Sequence, residues 1–255
     1  MTMPVLFVGH GSPENVLKNN PYTQALQKLG KTITPRPKFI VVISAHWVTS
    51  KTRVLTEEHP SVIHDFYGFP QALYQFQYLP LGASAQAQRL ANQLNVSIDK
   101  EWGLDHGAWS VLAHLYPDAS IPVFQLSIDN QKSFLDHLQL GKQLKFLREE
   151  GALILGSGNL THNLQHLSRN IDAEPSQWAQ VFDQKAQTAL QLRDEYFLVH
   201  PDAWGSELFR QAHPTHEHYI PLLYVLGAST QNDQLYYPYE GFEYGTLSMR
   251  MVLFQ

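Results

Sequence analysis

The segment Val5-Leu6-Phe7-Val8-Gly9-His10-Gly11-Ser12-Pro13 joins a short apolar run to a turn that carries a histidine. Four consecutive apolar residues have the length of a buried strand and are too few for a helix, and glycine and proline mark the turn that follows. Gly9 and Gly11 lack a Cβ atom, so the backbone beside His10 can turn sharply and approach a ligand closely. The segment therefore predicts a core strand with a histidine in the loop at its carboxyl end.

Further short apolar runs, rich in β-branched residues, predict three more core strands at residues 39–43, 121–128 and 152–155. Longer helical patterns lie around them, at residues 21–29, 84–94, 109–115, 132–149, 175–192 and 216–226. This alternation indicates an α/β fold, a single domain over residues 1–255 with a central mixed or mostly parallel sheet and helices on both faces. Residues 244–254 alternate well enough to add a strand at an edge of that sheet.

The composition excludes several classes of protein. The chain has 255 residues and no cysteine, so disulfides, thiolate metal sites and cysteine nucleophiles are ruled out, and any metal must be held by nitrogen and oxygen. A net charge of −5 without a basic cluster argues against a nucleic-acid partner. There is no apolar run of about 18 residues and no secretory leader pattern, so we expect a cytoplasmic protein that neither spans a membrane nor is secreted. Its partner is expected to be a small molecule.

Histidine is unusually frequent, with 13 residues against 18 lysines and arginines together. Ligands of open α/β sheets bind outside the carboxyl ends of the strands, and three of the four predicted strands are followed there by a histidine: His10, His46 and His162. One such histidine would be explained as readily by capping or packing. Three of them favour a shared metal or catalytic site, and we expect the strands before His10 and His46 to be neighbours.

A further candidate lies in Pro214-Thr215-His216-Glu217-His218-Tyr219, where Thr215 is predicted to cap a helix that starts at His216. Glu217 and His218 would point about 100° apart around that helix, so only one of them is expected to bind a metal. A carboxylate in the first turn is stabilised by the helix dipole without touching metal, and the polar trio could also be a solvated helix start. We favour His218 as the ligand, with Glu217 orienting it; Glu217 is the alternative ligand.

Two segments pair aspartate with histidine, His64-Asp65 and Asp105-His106. His106 is predicted to donate a proton or a hydrogen bond to a substrate, although a loop histidine in an Asx-type turn explains it equally well. We expect His64, Ser12 and Trp47 to contact the substrate.

Together these motifs are specific enough to suggest a family, and they extend over nearly the whole chain. In order they are Gly9-His10-Gly11-Ser12-Pro13, Ser44-Ala45-His46-Trp47, His64-Asp65-Phe66, Asp105-His106-Gly107, Ser157-Gly158-Asn159 with His162-Asn163, and Glu217-His218-Tyr219 through Leu226-Gly227-Ala228. This ordered set resembles the class III (LigB-type) extradiol ring-cleaving dioxygenases, and within them the 4,5-DOPA dioxygenase-like branch.

The resemblance implies that O2 is inserted into a catechol such as L-DOPA at a mononuclear non-haem metal site. One divalent ion is implied, Fe(II) for the dioxygenase reaction, with Zn(II) plausible as the bound metal. His10 and His46 would be metal ligands, with His218 as the third and His162 as a possible fourth. His162 would act as the catalytic base and His106 would assist.

Two rival functions stay open: a zinc-dependent hydrolase at the same site, with His162 or Glu217 as base, and a binding protein without catalysis. The sequence leaves the oligomeric state open between monomer and dimer.

Overall fold

A six-stranded mixed sheet is the centre of the protein, whose computed structural model describes residues 2–255. The strands are β1 (Val5–Gly9), β2 (Phe39–Ser44), β3 (Val48–Thr49), β4 (Arg53–Leu55), β5 (Ser97–Asp99), β6 (Val123–Gln125), β7 (Ile128–Asp129), β8 (Ala152–Gly158), β9 (Leu235–Tyr236), β10 (Phe242–Glu243), β11 (Leu247–Ser248) and β12 (Met251–Phe254). The helices are α1 (Pro21–Thr32), α2 (Gln71–Tyr74), α3 (Ser84–Leu94), α4 (His106–Leu115), α5 (Phe134–Gln143), α6 (Lys145–Glu149), α7 (Gln177–Leu192), α8 (Glu195–Val199), α9 (Ser206–Ala212) and α10 (Ile220–Ala228). Short 3-10 helices lie at Pro13–Leu17, Leu164–His166 and Pro201–Trp204.

The strand order in the main sheet is β6-β2-β8-β1-β12-β9. The first four strands are parallel, so their carboxyl ends meet at one edge of the sheet. β12 pairs antiparallel with β1, and β9 pairs antiparallel with β12. The prediction of an α/β fold with a mixed sheet is confirmed.

Helices cover both faces of this sheet. Along β1, Val5 and Phe7 point into one core together with residues of α5, α7 and α10, whereas Leu6 and Val8 point into a second core with residues of α1 and α4. Strands buried on both faces are continuously apolar, which is the pattern seen in the sequence. Burying each such side chain contributes about 1.5–3 kcal/mol relative to leaving it exposed.

Two predicted elements are divided in the structure. The strand predicted at residues 121–128 is two strands, because the chain leaves β2 after β6 and pairs with β3 through β7. The helix predicted at residues 132–149 is α5 and α6, separated at Leu144, whose N–H bonds to the carbonyl of Gly141 three residues back. Short-range sequence patterns do not reveal such divisions, because they depend on the neighbouring elements with which the chain pairs.

The start of α10 was predicted wrongly. The helix begins at Ile220 rather than His216, residues 214–219 form bends and turns, and the Thr215 hydroxyl donates to the Glu217 carboxylate instead of capping a helix. Pro221 explains the difference. It occupies the first turn, where its missing N–H costs nothing, whereas in a helix from His216 it would lie in the interior and break a hydrogen bond.

The end of the chain does not form the single strand that was predicted over residues 244–254. Tyr244 and Gly245 have φ values of 54° and 71°, which end any extended run there, and β11 and β12 follow separately. β12 does join the main sheet, but it lies inside it, with β9 forming the edge.

Candidate metal centre

Three histidines lie where the parallel strands end. His10 follows β1, His46 follows β2, and His162 follows β8 by four residues. β8 lies between β1 and β2, so the prediction that the strands of His10 and His46 are neighbours is wrong. Their rings still meet, with 3.1 Å between the two Nε2 atoms. Beside the ends of β1 and β2, β8 carries only the small residues Ser157 and Gly158, which leave room for the rings of His10 and His46 to meet over that strand.

Glycine at the end of β8 also admits the segment that carries His218. A Cβ atom on Gly158 would lie 2.1 Å from the carbonyl oxygen of His218. The backbone of that segment can therefore lie against the strand only because residue 158 has no side chain.

Five imidazole rings form one cluster at this edge. The ring centroid of His46 lies 3.8 Å from that of His106, and the centroid of His218 lies 5.3 Å from His10 and 5.0 Å from His46. His162 stacks on His218, with centroids 3.4 Å apart and an interplanar angle of 4°. Within the cluster, potential ligand atoms lie within 4.8 Å of one another in two sets: His10, His46 and His106, and His162, Glu217 and His218.

The tautomer of His10 is set by Ser157. The Ser157 hydroxyl donates to the carbonyl oxygen of Gly107 at 2.6 Å, so it can only accept at its other contact, 2.9 Å from His10 Nδ1. The proton of neutral His10 is therefore on Nδ1. Its Nε2 atom presents a lone pair to the centre of the cluster.

Asp65 sets the tautomer of His106 and lies beside the ring of His46. Its Oδ2 atom accepts from His106 Nδ1 at 2.9 Å and lies 3.3 Å from His46 Nδ1. A carboxylate only accepts, so neutral His106 carries its proton on Nδ1. Burial opposes ionisation of Asp65, but the hydrogen bonds and charge of His106 outweigh it and lower the pKa of this carboxyl.

His218 is oriented by its sequence neighbour. Its Nδ1 lies 3.1 Å from Glu217 Oε1, which also accepts from the Thr215 hydroxyl at 2.8 Å. His218 Nε2 is buried and has no hydrogen-bond partner among the residues described. A buried nitrogen left unsatisfied is costly, and a metal ion bound there would satisfy it. The donor set, neutral imidazole nitrogens beside carboxylates, suits a divalent transition metal.

Burial keeps these histidines in the form that binds metal. Desolvation lowers the pKa of His10 and of His218 well below the usual value, and it lowers the pKa of His46 to about 3 and that of His162 to about 4. All four rings are therefore neutral near pH 7, as a ligand or a proton acceptor must be.

A cavity of about 780 Å³ opens onto the cluster. Its wall includes the predicted Ser12 and several aromatic side chains that had not been predicted: Phe66, Tyr67, Phe69 and Tyr244. Asn163, Leu164, Leu167 and Leu247 also line it. The volume lies in the range typical of small-molecule sites.

Two residues expected at the substrate lie elsewhere. Trp47 is 2% exposed and stacks on Trp102 at 5.7 Å between centroids. His64 has its Nε2 3.2 Å from the carbonyl oxygen of Phe76, and its ring packs against Trp109. Neither lines the cavity, because each satisfies its packing or polar needs inside an aromatic cluster.

Sequence reasoning assigned no role to Asp65 or Ser157, which contact the clustered rings. The sequence pair His64-Asp65 is a local signal for Asp65. The side chain turned toward the site is the aspartate rather than the histidine. Ser157 is an ordinary strand residue with no signal of its own.

Comparison with known proteins places the chain in a family. The family described as the catalytic LigB subunit of aromatic ring-opening dioxygenase matches residues 3–248. A "4,5-DOPA dioxygenase extradiol" of Escherichia coli is 48% identical over 98% of this chain and 94% of the relative, and one of Beta vulgaris is 36% identical over 95% and 92%. A crystal structure of an uncharacterized Escherichia coli K12 protein superposes with a TM-score of 0.86 at 42% identity, over 99% of this chain and 100% of the other.

The chain therefore belongs to the LigB family of aromatic ring-opening dioxygenases. Within that family it is an extradiol enzyme of the 4,5-DOPA dioxygenase-like branch, and the prediction from its motifs is confirmed. The two curated relatives named above carry the name of a dioxygenase, not of a hydrolase. No helix in residues 2–255 has both the length and the apolar character needed to cross a bilayer.

Proposed function

We propose that this enzyme opens a catechol ring at one divalent metal ion held by the Nε2 atoms of His10, His46 and His218. One observation carries the proposal: these rings direct their Nδ1 atoms outward and their Nε2 atoms inward. Nδ1 of His10 and of His218 is hydrogen-bonded to Ser157 and to Glu217, and Nδ1 of His46 lies 3.3 Å from the Asp65 carboxylate. Outward partners of this kind fix the orientation of metal-binding histidines. L-DOPA is the first candidate substrate, because relatives of the chain are named for it.

His106 meets the same geometric condition, since its Nδ1 is held by Asp65. We assign His218 rather than His106 to the metal because His218 Nε2 is the nitrogen that is buried without a partner. We assign Glu217 the task of orienting His218, since its Oε1 atom already accepts two hydrogen bonds. These assignments predict that substitution of His218 weakens metal binding more than substitution of Glu217 or of His106.

Fe(II) is the proposed metal; when bound, it would supply the redox chemistry with O2 and favour ionisation of the catechol hydroxyls. Zinc suits the same nitrogen ligands but has no redox chemistry, so a zinc-loaded protein is expected to be inactive as a dioxygenase. The overall reaction adds both atoms of O2 and breaks the ring bond beside a hydroxyl-bearing carbon. That carbon becomes a carboxylate and its former neighbour becomes an aldehyde.

The chain's own residues would manage protons and position. His162, neutral because burial lowers its pKa to about 4, is placed to accept a catechol proton. His106 offers its Nε2 to the substrate while Asp65 holds its Nδ1. The aromatic wall around Phe66 would pack against the catechol ring and exclude water.

The test is an aerobic assay of the Fe(II)-reconstituted protein with L-DOPA. We expect a yellow ring-opened product and the uptake of one O2 for each catechol consumed, with no product from zinc-loaded protein. Absence of product from L-DOPA and from a panel of other catechols would overturn the proposal. Oxygen-independent hydrolysis by zinc-loaded protein would select the hydrolase instead.

We further propose that residues 1–255 form a single catalytic domain. The family match over residues 3–248 supports this, as does the pairing of β1 with β12 near the two ends of the chain. The cytoplasmic location stays a prediction from the sequence.

A further inference from the structure

We infer that Glu243 is a positioning residue: its buried carboxyl holds Asn15, and through Asn15 it holds the loop at residues 11–13 that forms one wall of the cavity. Glu243 has no part in the proposed chemistry and does not itself line the cavity. This inference rests on the proposed function, since the wall is that of the proposed catechol cavity.

Glu243 lies directly behind two parts of the cavity wall. It pairs with Leu247 between β10 and β11, and both Leu247 and the adjacent Tyr244 line the cavity. On the other side, a Cβ atom placed on Gly11 would lie 2.9 Å from Glu243 Oε2. Gly11 has a φ of 60° and also lines the cavity. One carboxyl, in a residue that is 7% exposed, therefore stands between the β10–β11 hairpin and the loop after β1.

Asn15 connects this carboxyl to the loop. Its Nδ2 donates to Glu243 Oε2 at 3.1 Å, a buried contact between residues 228 positions apart. Its backbone N–H donates to the carbonyl oxygen of Ser12 at 3.0 Å, and its own carbonyl oxygen accepts from His114 Nε2 at 2.9 Å. Asn15 thus ties the loop to α4 through its backbone and to the hairpin through its side chain.

The side chain of Asn15 depends on Glu243. Asn15 is 2% exposed, and within residues 2–255 its Oδ1 has no partner, so the bond to Glu243 is the one that satisfies this amide. Burial raises the pKa of Glu243, and the hydrogen bond from Asn15 opposes that rise. Loss of the contact would leave the whole amide buried and unsatisfied, which is costly, so we expect the loop to shift. A shift of about 1 Å in a wall that positions a substrate can lower the rate by about 10²-fold.

The test reverses the polarity of the contact. Asn15→Asp sets two carboxylates against each other, and addition of Glu243→Gln restores one hydrogen bond, donated from position 243 to position 15. We expect Asn15→Asp to raise KM for L-DOPA, and the Kd of L-DOPA for zinc-loaded protein, by about tenfold or more, with the metal content unchanged. The double variant should recover most of this loss, since contacting residues can be coupled by about tenfold in affinity.

A second variant covers the case in which Asn15→Asp does not fold. Asn15→Ala removes the side chain without adding charge and should raise KM and Kd in the same direction. Glu240→Gln, which removes a carboxylate of the same segment that pairs with Arg250 outside the cavity, is the control and should leave both constants unchanged. A contact that only stabilised the fold would lower Tm and the fraction of active protein, but not the KM or Kd of the protein that stays folded.

Amide hydrogen exchange provides a readout that does not depend on activity. Peptides that cover residues 11–17 should exchange faster in Asn15→Ala and Asn15→Asp than in the wild type, because local opening becomes easier when the loop is released. Exchange in the double variant and in Glu240→Gln should match the wild type.

The outcomes separate this inference from the proposed function. If catechols are opened but Asn15→Ala leaves KM, Kd and exchange unchanged, or the double variant binds L-DOPA no better than Asn15→Asp, the inference is wrong and the dioxygenase function stands. If the wild type opens no catechol, the proposed function fails, and hydrogen exchange still decides whether Glu243 holds the loop.

Discussion

Asp65 holds His106 at two points: Oδ1 accepts from the backbone N–H and Oδ2 from ring Nδ1, both at 2.9 Å. The same Oδ2 lies 3.3 Å from His46 Nδ1. One carboxylate therefore fixes both the backbone at the start of α4 and the ring direction of His106, and it also contacts His46. Hydrogen bonds of this kind to metal-site imidazoles are worth about 10–100-fold in metal affinity or activity.

Asp65→Asn should therefore lower kcat by about 10–100-fold and weaken metal binding by a similar or smaller factor. The amide keeps the size of the carboxylate, but it has a single accepting oxygen and cannot accept from both the backbone N–H and the ring Nδ1 of His106. Steady-state kinetics and metal competition with a chelator measure the two effects. Asp118→Asn, which alters an exposed ion pair with Arg36, is the matched control. Wild-type kcat and affinity in Asp65→Asn would show that the contacts do not matter.

The third metal ligand is tested by comparing His218→Ala, Glu217→Gln and His106→Ala. His218→Ala should abolish stoichiometric metal binding, because it removes the buried nitrogen assigned to the ion. Glu217→Gln should weaken binding by about 10–100-fold, and His106→Ala should keep the metal. Metal content after desalting and affinity by chelator competition are the measurements. A greater loss from Glu217→Gln or His106→Ala than from His218→Ala would contradict the assignment. His166→Ala, an exposed histidine outside the cavity, serves as control.

His162→Ala should keep most of its metal and lose most of its kcat. A base acts on the substrate after the ion is bound, and general-base catalysis typically contributes about 10²–10⁴-fold. The experiment pairs metal analysis with kcat for the same preparation. A metal-free variant would instead make His162 a ligand and would revise its assigned role.

Acid should destabilise the metal-free protein partly through His213. This ring is fully buried, its Nε2 lies 2.8 Å from the Leu160 carbonyl oxygen, and desolvation lowers its pKa to about 3. The unfolded chain, with an ordinary histidine pKa near 6.5, then binds the extra proton between about pH 6.5 and 3. The free energy of unfolding should therefore fall as the pH drops through this window, by up to about 1.4 kcal/mol per pH unit from this group.

Urea unfolding of metal-free wild type and His213→Gln at pH 7.5 and 5.0 measures this contribution. Other buried histidines are common to both proteins, so the difference between their pH dependences isolates His213. The variant should lose less stability between the two pH values than the wild type. Equal losses would show that His213 does not titrate differently in the folded and unfolded states.

Local sequence patterns predicted the main strands, the class of fold and most of the histidines that form the cluster. β1 and β2 are continuously apolar because both faces of the sheet are covered. Such a run can be recognised in the sequence without knowing which strands pair with it. His10 and His46 follow those strands directly in the chain. Parallel strands bring such positions to one edge, so a shared site could be predicted from chain order alone.

What sequence could not supply was the contact between residues distant in the chain. Asp65 reaches His106 across 41 positions and Ser157 reaches His10 across 147, and only the packing of the elements decides such pairs. The order of β8 between β1 and β2 was likewise a choice of tertiary structure, since each strand alone is equally able to pair with the others. The directions of the Nε2 lone pairs of His10 and His106 follow from these long-range hydrogen bonds. The sequence by itself indicated that His10, His46, His162 and His218 share a site, whereas only tertiary structure decided how the rings of His10 and His106 are oriented, because their partners Ser157 and Asp65 are distant in the chain.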